Sequence, residues 1–405
     1  MICGVVPHRR VRLLFVLAIP AFPAAARAQL LDELLPGTVP GYAPNSYGLA
    51  VRREEAPGAT GWELGGLDLA PGLAAQSGYD SAPNGSTGSA LLSITPDLLV
   101  ADQAAGFGAY AQVNESAYPQ NAGQNLFSAA LAGGERLQLP REVLTLAAAY
   151  LRSAETGFAL SPFVLAKPTA FTLKDVRASD EITAGCLTIT PLLSASFYDF
   201  PDLPFQNRQD LRSGLTLRYD NGAPLTYVAA LRAGHSNGTD EAQDAGNYAA
   251  LAGLQDEADG LWTISALAGG AWRVPRVGQG LTAPVVEARL DWAPDRMDGL
   301  HLNIAREIDD PDRLSATPYT LTEAKFTFIR AGLHDITATT TADISNAAYI
   351  HNPLRETLFT ASAELKWQMS PALALDGRYL FNDRQSNQLG AANEHVVLLG
   401  GSWTP

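Results

Sequence analysis

Residues 355–386 read RETLFTASAELKWQMSPALALDGRYLFNDRQS. Apolar or small residues occupy every second position, as at Leu365 and Trp367, and charged residues such as Glu364 and Lys366 lie between them. Successive side chains of a β-strand point to opposite faces, so this period of two indicates strands with one apolar and one charged face.

The alternation does not by itself say which face is inside. A soluble β-sandwich buries its apolar face between two sheets and turns the polar face to water. A membrane barrel turns its apolar face to lipid and its polar face to the lumen. The barrel alternative predicts that Phe359, Leu365, Trp367, Leu375 and Tyr379 face outward, and that Phe359, Leu365 and Leu375 are exposed.

The N-terminus has the pattern of a secretory signal peptide. Three arginines lie within residues 9–12, an apolar stretch follows over residues 13–22, and Ala26-Arg27-Ala28 fits a small-x-small cleavage site. We therefore expect residues 1–28 to be removed and the chain to be exported.

The chain is acidic, which excludes one class of partner. Its net charge is −14, and loss of the four arginines of the signal makes the mature charge −18. Phosphate binding needs clustered cations, so no nucleic-acid partner is expected. After the signal no apolar run approaches the ~18 residues of a spanning helix.

The mature chain divides into two parts by composition. Residues 29–60 combine a short Leu/acid cluster with several prolines and glycines, which predicts an irregular periplasmic or internal plug segment. Residues 61–405 consist of repeated period-two segments separated by Gly, Asn, Asp, Pro and Ser.

These repeated segments predict an all-β fold, a single antiparallel transmembrane β-barrel. Short turns and long polar loops alternate between them, and single-chain barrels have even strand numbers, so we expect about 16–18 strands. Nineteen segments are candidate strands, so we expect at least one of them to be wrong. They are 62–78, 88–101, 105–116, 124–138, 141–153, 158–172, 181–190, 192–200, 209–220, 224–235, 245–256, 260–273, 283–293, 298–308, 318–332, 334–346, 355–368, 372–382 and 394–403.

The polar faces of the candidate strands predict the lining of a channel. Opposite charges recur at i, i+2 on one face, and such charges either brace the wall as salt bridges or filter solutes. The predicted lining residues are Arg218, Asp220, Glu287, Arg289, Asp291, His301, Asn303, Glu323, Lys325, Glu364, Lys366, Asp376 and Arg378.

Amphipathic aromatic rings favour membrane interfaces, and ten aromatic residues are candidates for two girdles. They are Trp62, Tyr110, Tyr150, Tyr219, Tyr227, Trp262, Trp292, Trp367, Tyr379 and Trp403.

Two groups of residues resemble a known family. One is the opening strand pair at 65–73, 77–81 and 88–98, and the other is Trp292-Ala293-Pro294 before 299–306, with Trp367 before Pro371 as its relative. Over roughly residues 45–403 they resemble the outer-membrane beta-barrel porin 2 family of alphaproteobacteria.

The resemblance implies a non-enzymatic, porin-like channel embedded in the lipid of a Gram-negative outer membrane. Members are often associated with exopolysaccharide export loci, which implies a polysaccharide substrate and a periplasmic export partner. A general diffusion porin for small solutes is the alternative.

The sequence offers few residues for a metal, cofactor or catalytic site. The histidines are scattered, without metal-ligand spacing, and no cofactor-binding motif is present, so neither a metal nor a cofactor is expected. His301 with Asn303 on one face is the one candidate for a barrel hydrolase, and wall residues are the simpler interpretation. The acidic loop 309–312 is a candidate Ca²⁺ site or simply solvated charge. A secreted soluble β-protein is the third alternative.

Overall fold

The protein is described from a computed structural model. It describes residues 31, 34–42, 61–102, 104–158, 167–239, 244–256, 261–295, 297–309, 318–332, 335–349, 353–388 and 390–405. The predicted signal peptide, residues 1–28, lies outside these residues. No helix within the described stretches is long and apolar enough to cross a membrane.

The chain forms β-strands from residue 62 to residue 403. The strands are β1 (Trp62–Leu64), β2 (Leu67–Asp80), β3 (Ser89–Asp102), β4 (Phe107–Ala117), β5 (Leu126–Gln138), β6 (Glu142–Glu155), β7 (Thr169–Ala184), β8 (Leu187–Asp199), β9 (Arg208–Tyr219), β10 (Leu225–Gly238), β11 (Ala245–Asp256), β12 (Trp262–Pro275), β13 (Leu281–Trp292), β14 (Asp298–Asp309), β15 (Tyr319–Ala331), β16 (Ile336–Tyr349), β17 (Arg355–Ser370), β18 (Leu373–Ser386) and β19 (Gly390–Trp403). One-turn 3-10 helices lie at Pro83–Gly85, Ala122–Gln124 and Pro204–Gln206.

Consecutive strands from β2 to β19 pair antiparallel, and β19 returns to pair with β2. The result is a closed antiparallel barrel of 18 strands with β1 as an extra strand. The predicted all-β barrel, with 18 as one of its two expected strand numbers, is thereby confirmed.

The extra strand β1 covers part of the barrel seam. Gly65 and Gly66, both with positive φ, form the tight turn that folds β1 back onto the first residues of β2. The pairing of β19 with β2 begins only at Leu73, so β1 occupies an edge of β2 that β19 does not reach. The N–H of Gly61 also donates to the carbonyl of Pro405 at 3.2 Å.

The predicted strand boundaries are wrong around residue 180. Three predicted segments, at 158–172, 181–190 and 192–200, are replaced by β7 and β8. The turn lies at Gly185, which has a φ of 66°, instead of at Pro191. Pro191 lies inside β8 opposite Leu215 of β9, and the β7–β8 ladder is interrupted beside it, because proline has no N–H to donate.

The strands end at two different rims. Short connections such as 139–141, 185–186 and 371–372 lie at one rim, the turn end. Longer connections such as 81–88 and 200–207 lie at the opposite rim, the loop end. This alternation agrees with the predicted one, apart from the misplaced turn at Pro191.

The exposure of side chains is the reverse of that in a soluble protein. Leu193, Leu365 and Leu399 are 60–66% exposed, although they lie in the interior of their strands. Asp175 and Glu356 are 2% and 0% exposed. Exposed leucines alternating with buried charges are typical of a barrel with an apolar exterior and a polar lumen.

Of the three residues expected to be exposed on the outside of the barrel, two are exposed and one is half-buried. Leu365 and Leu375 are exposed, as the barrel orientation requires. Phe359 is half-buried because its ring packs on that of Phe381, with 6.1 Å between the centroids.

Most of the predicted girdle aromatics are on the outer surface. Several meet in pairs at the turn end, where the rings of Trp262 and Trp292 lie 5.4 Å apart and those of Tyr219 and Tyr227 lie 6.5 Å apart. The prediction is wrong for Tyr110, which is in phase with Gly108 on the inner face and packs against a buried cluster inside the barrel.

Candidate functional site: the barrel lumen

The predicted lining residues are mostly in phase with the buried face of their strands. Asp291 and His301, for example, are 4% and 5% exposed and alternate with outward apolar residues. The residues on this inner face are Arg218, Glu287, Arg289, Asp291, His301, Asn303, Glu323, Lys325, Glu364, Lys366, Asp376 and Arg378. Their role in conduction stays a prediction.

Asp220, the remaining predicted lining residue, lies in a turn. β9 ends at Tyr219, and Asp220 Oδ1 accepts a hydrogen bond from the N–H of Gly222 at 2.8 Å. Asp295 has the same role in the turn between β13 and β14. The N–H groups of Asp298 and Met297 donate to its carboxylate and lower its pKa. These carboxylates stabilise turns at the rim of the barrel.

An ion pair joins two strands that are not neighbours. Arg232 on β10 contacts Glu287 on β13 through both guanidinium Nη atoms, with Nη2 to Oε2 at 2.8 Å, and β11 and β12 lie between. The two side chains are 21% and 13% exposed. A bidentate pair of this kind fixes both groups in direction as well as in distance.

A second charged group lies beside this pair on β13 and β14. Arg289 Nε donates to Asp291 Oδ2 at 2.7 Å, so one of the predicted i, i+2 charge pairs is an ion pair. His301 Nδ1 contacts the other oxygen of the same carboxylate, Asp291 Oδ1. Asn303, proposed from sequence as a partner of His301, lies opposite Arg289 instead.

Further along the wall, opposite charges face each other across β17 and β18. Glu364 lies directly opposite Arg378, and Lys366 lies opposite Asp376. Cross-strand pairs of opposite charge stabilise a sheet by roughly 0.2–1 kcal/mol each. The charged wall therefore continues from β13 to β18.

The N-terminal segment 34–42 lies inside the barrel against the opposite wall. Leu35, Val39 and Tyr42 are at most 2% exposed. They share one buried cluster with inward residues of β5–β8, among them Leu151 and Leu173. The described part of the segment therefore lies within the barrel, and whether residues 29–60 act as a plug stays a prediction.

The wall is made of small residues where it meets the backbone of the segment. A Cβ atom added to Gly108 would lie 2.5 Å from the carbonyl oxygen of Thr38, and one added to Gly134 would overlap that of Pro40. Ala147 is in contact range of the backbone at Gly41. The many glycines and alanines in the first half of the chain thus leave room for the segment.

A polar contact holds the end of the segment. The hydroxyl of Tyr42 donates to Asp175 Oδ1 at 2.9 Å, and Ser196 donates to Oδ2 at 2.6 Å. Arg177 donates through Nε to Asp175 at 2.8 Å and lies 4.5 Å above the ring of Tyr42. Its Nη1 also donates to the carbonyl of Gly41 at 3.3 Å.

A loop crosses to the far wall at the loop end. Gly157, just after β6, accepts a hydrogen bond from Arg384 Nη1 on β18 at 2.9 Å, and its N–H contacts the side chain of Asn84. Arg384 Nη2 also donates to Glu356 Oε1 at 2.7 Å. Tyr349 donates to the second oxygen of Glu356 at 3.2 Å. The start of the β6–β7 loop is thereby fixed to β17 and β18.

Several of these residues were missed in the sequence. The candidate strands leave residues 173–180 unassigned, so the sequence pattern does not place Asp175 and Arg177 on either face of the wall. Their alternation with Val176 was the available signal. Arg232, Glu356 and Arg384 lie within or next to correctly predicted strands and were missed because one charge on a face gives no sign of its partner.

Other chemistry finds little support in the geometry. In the part of the chain that the structure describes, no three His, Cys, Asp or Glu side chains are grouped so as to hold a metal ion. The candidate Ca²⁺ loop lies outside that part except for Asp309, whose carboxylate accepts a hydrogen bond from Tyr319 at 2.8 Å.

Comparison with solved structures finds matches of low sequence identity. OccK2 (OpdF) of Pseudomonas aeruginosa is 14% identical, with a TM-score of 0.47 over 83% of this chain and 98% of that one. OccK1 (OpdK) of the same organism is 9% identical, with a TM-score of 0.48 over 84% and 99%. The siderophore receptor PirA, also from Pseudomonas aeruginosa, is 12% identical, with a TM-score of 0.40 over 83% and 80%.

No curated protein matches this chain in sequence. The match to a protein family covers the charged wall, from the end of β12 into β19. Residues 273–401 match the family described as "Putative beta-barrel porin 2", which confirms for this part of the chain the resemblance seen in the sequence.

Proposed function

We propose that the protein is an outer-membrane channel for small hydrophilic solutes. The observation that carries this proposal is a closed barrel of 18 strands with charged side chains inside and leucines outside. Barrels of 16–18 strands are wide enough to hold an aqueous channel. The family match over residues 273–401 supports the same function.

The solute path follows the wall of β10–β18. This wall carries the mixed charges of Glu287, Arg289, Asp291, Glu364 and Arg378, whereas segment 34–42 covers the wall of β4–β7. Mixed charges offer weak, exchangeable contacts to polar solutes, and a solute must leave such contacts as readily as it enters them.

Small solutes fit this geometry better than a polymer does. The Arg232–Glu287 pair, the N-terminal segment and the Gly157–Arg384 contact each occupy space within the barrel. The polysaccharide conduit and its periplasmic partner rest on the family resemblance alone, and no contact favours them over small solutes. No observation favours the hydrolase alternative.

The experiment is reconstitution of the mature chain into lipid. We expect stepwise conductance in planar bilayers and, in liposome swelling, uptake of monosaccharides that falls steeply for disaccharides and larger sugars. Passage of a long polysaccharide would favour the conduit. Protein-containing bilayers without any conductance, in the native chain and in a variant lacking residues 34–42, would refute the channel.

A further inference from the structure

Segment 34–42 fits its wall closely but is fixed by few directional contacts. Its backbone lies against glycines of the wall, and its apolar side chains share a buried cluster with Leu151, Leu173 and several alanines. These apolar contacts have little directionality. The described polar contacts of its side chains are those of Tyr42, at the end of the segment. Polar contacts grouped at one end of a segment are the arrangement of a latch.

The latch is assembled away from water. Tyr42 and Asp175 are 0% and 2% exposed, so the hydrogen bond between them lies in a medium of low polarity. Arg177 binds three parts of the assembly: the Asp175 carboxylate, the Gly41 carbonyl and the face of the Tyr42 ring. Loss of the tyrosine hydroxyl removes a contact to a charged group, which is stronger than one between neutral groups.

We infer that segment 34–42 is a movable gate of the proposed channel, closed by the latch of Tyr42 on Asp175 and Arg177. This inference rests on the proposed channel function and adds its regulation. In the closed state the segment narrows the lumen along β4–β7. When the latch opens, the contacts that remain between the described residues of the segment and the wall are mainly apolar packing.

The test compares single-channel recordings of variants with matched controls. Tyr42→Phe removes only the latch hydroxyl, and we expect a roughly tenfold rise in the ratio of open to closed time. Tyr379→Phe removes a hydroxyl of similar size that contacts His395 on the outer surface, and it should leave gating unchanged.

A second pair of variants tests the fit of the wall. Gly108→Ala places a methyl group against Thr38, with Pro40 and Val39 as its next neighbours, so the clash falls on the segment itself. Gly133→Ala is its control, because the nearest atom to the added methyl is 3.8 Å away. We expect more open time with Gly108→Ala and no change with Gly133→Ala.

Hydrogen exchange gives a readout that does not depend on conduction. The amides of residues 34–42 should exchange faster in Tyr42→Phe than in Tyr379→Phe. Equal exchange and equal open time across all four variants and the native chain would overturn the gate. Faster exchange with no conductance in any variant, including the one lacking residues 34–42, would instead overturn the channel and leave the latch in place.

Discussion

At the scale of single residues, the Arg232–Glu287 pair places two opposite charges on the inner face of the barrel. Both side chains are partly open to the lumen and belong to strands separated by two others. A neutral residue in place of Arg232 leaves the negative charge of Glu287, and a neutral residue in place of Glu287 leaves the positive charge of Arg232. The pair therefore offers two substitutions with opposite electrostatic effects.

We predict that Glu287→Gln increases the anion preference of the channel and that Arg232→Gln increases its cation preference. The physical reason is that the remaining charge attracts its counter-ion into the lumen. The measurement is the reversal potential under a salt gradient, which should shift in opposite directions for the two variants. Shifts of equal sign would contradict this role.

The sequence predicted the faces of residues much better than their partners. Strict alternation at 285–292 and 355–386 assigned Glu287, Arg289, Glu364 and Lys366 to one face. Alternation does not show how the sheet curves and closes into a barrel, so it could not place Arg232 beside Glu287. It also could not bring Tyr42 to Asp175, because that contact depends on a segment without periodicity.

At the scale of elements, one face of each strand points to the exterior of the barrel and the other face points to the lumen. Ile344 on β16 is 47% exposed toward the exterior, whereas Thr341, three residues earlier, lies on the inner face opposite Ser362. A charge is therefore tolerated on one side of the strand and excluded on the other.

We predict that Ile344→Arg destabilises the barrel by about 2–4 kcal/mol, because a guanidinium enters the hydrocarbon of the membrane. Thr341→Arg is the control, since its side chain enters the polar lumen. The free energy of unfolding in lipid vesicles, from guanidinium titration, provides the comparison. An equal loss in both variants would contradict the assigned orientation.

The Arg384–Glu356 ion pair joins β18 to β17 at the loop end of the barrel. Both side chains are at most 5% exposed, so removal of one charge leaves the other buried and uncompensated. We predict that Arg384→Met costs about 3–5 kcal/mol of unfolding free energy. Adding Glu356→Gln should recover part of this loss, and a double variant no more stable than Arg384→Met would contradict the coupling.

The strand elements themselves were predictable where turns carried clear signals. The segments from 209–220 onward correspond one to one with strands β9–β19, whereas those near residue 180 do not. Pro191 was interpreted as a break, but a proline is tolerated in a ladder where its missing N–H interrupts pairing on one side only.

At the scale of the whole molecule, the apolar exterior requires a surrounding that is not water. Leucines and aromatic residues cover the outside of a closed barrel, and no second sheet packs on them among the described strands. The fold class followed from the repetition of one pattern over 61–405. The segment inside the lumen did not, because packing against a distant wall leaves no local signature.

We predict that the mature chain folds only in detergent or lipid. Circular dichroism should then show a spectrum dominated by β-structure, and omission of detergent should give aggregates, because the exposed apolar surface associates. A monomeric, folded chain in plain buffer would contradict the membrane orientation.

The seam between the first and last barrel strands has a consequence for biogenesis. β2 pairs with β19 only over Leu73–Asp80, whereas β18 and β19 pair along the full length of β18. The ring closes only when β19 pairs with β2, so the edge of β2 must stay available until the last strand has been added. The wall is thus completed by its last strand, and the junction that completes it is shorter than the β18–β19 junction beside it.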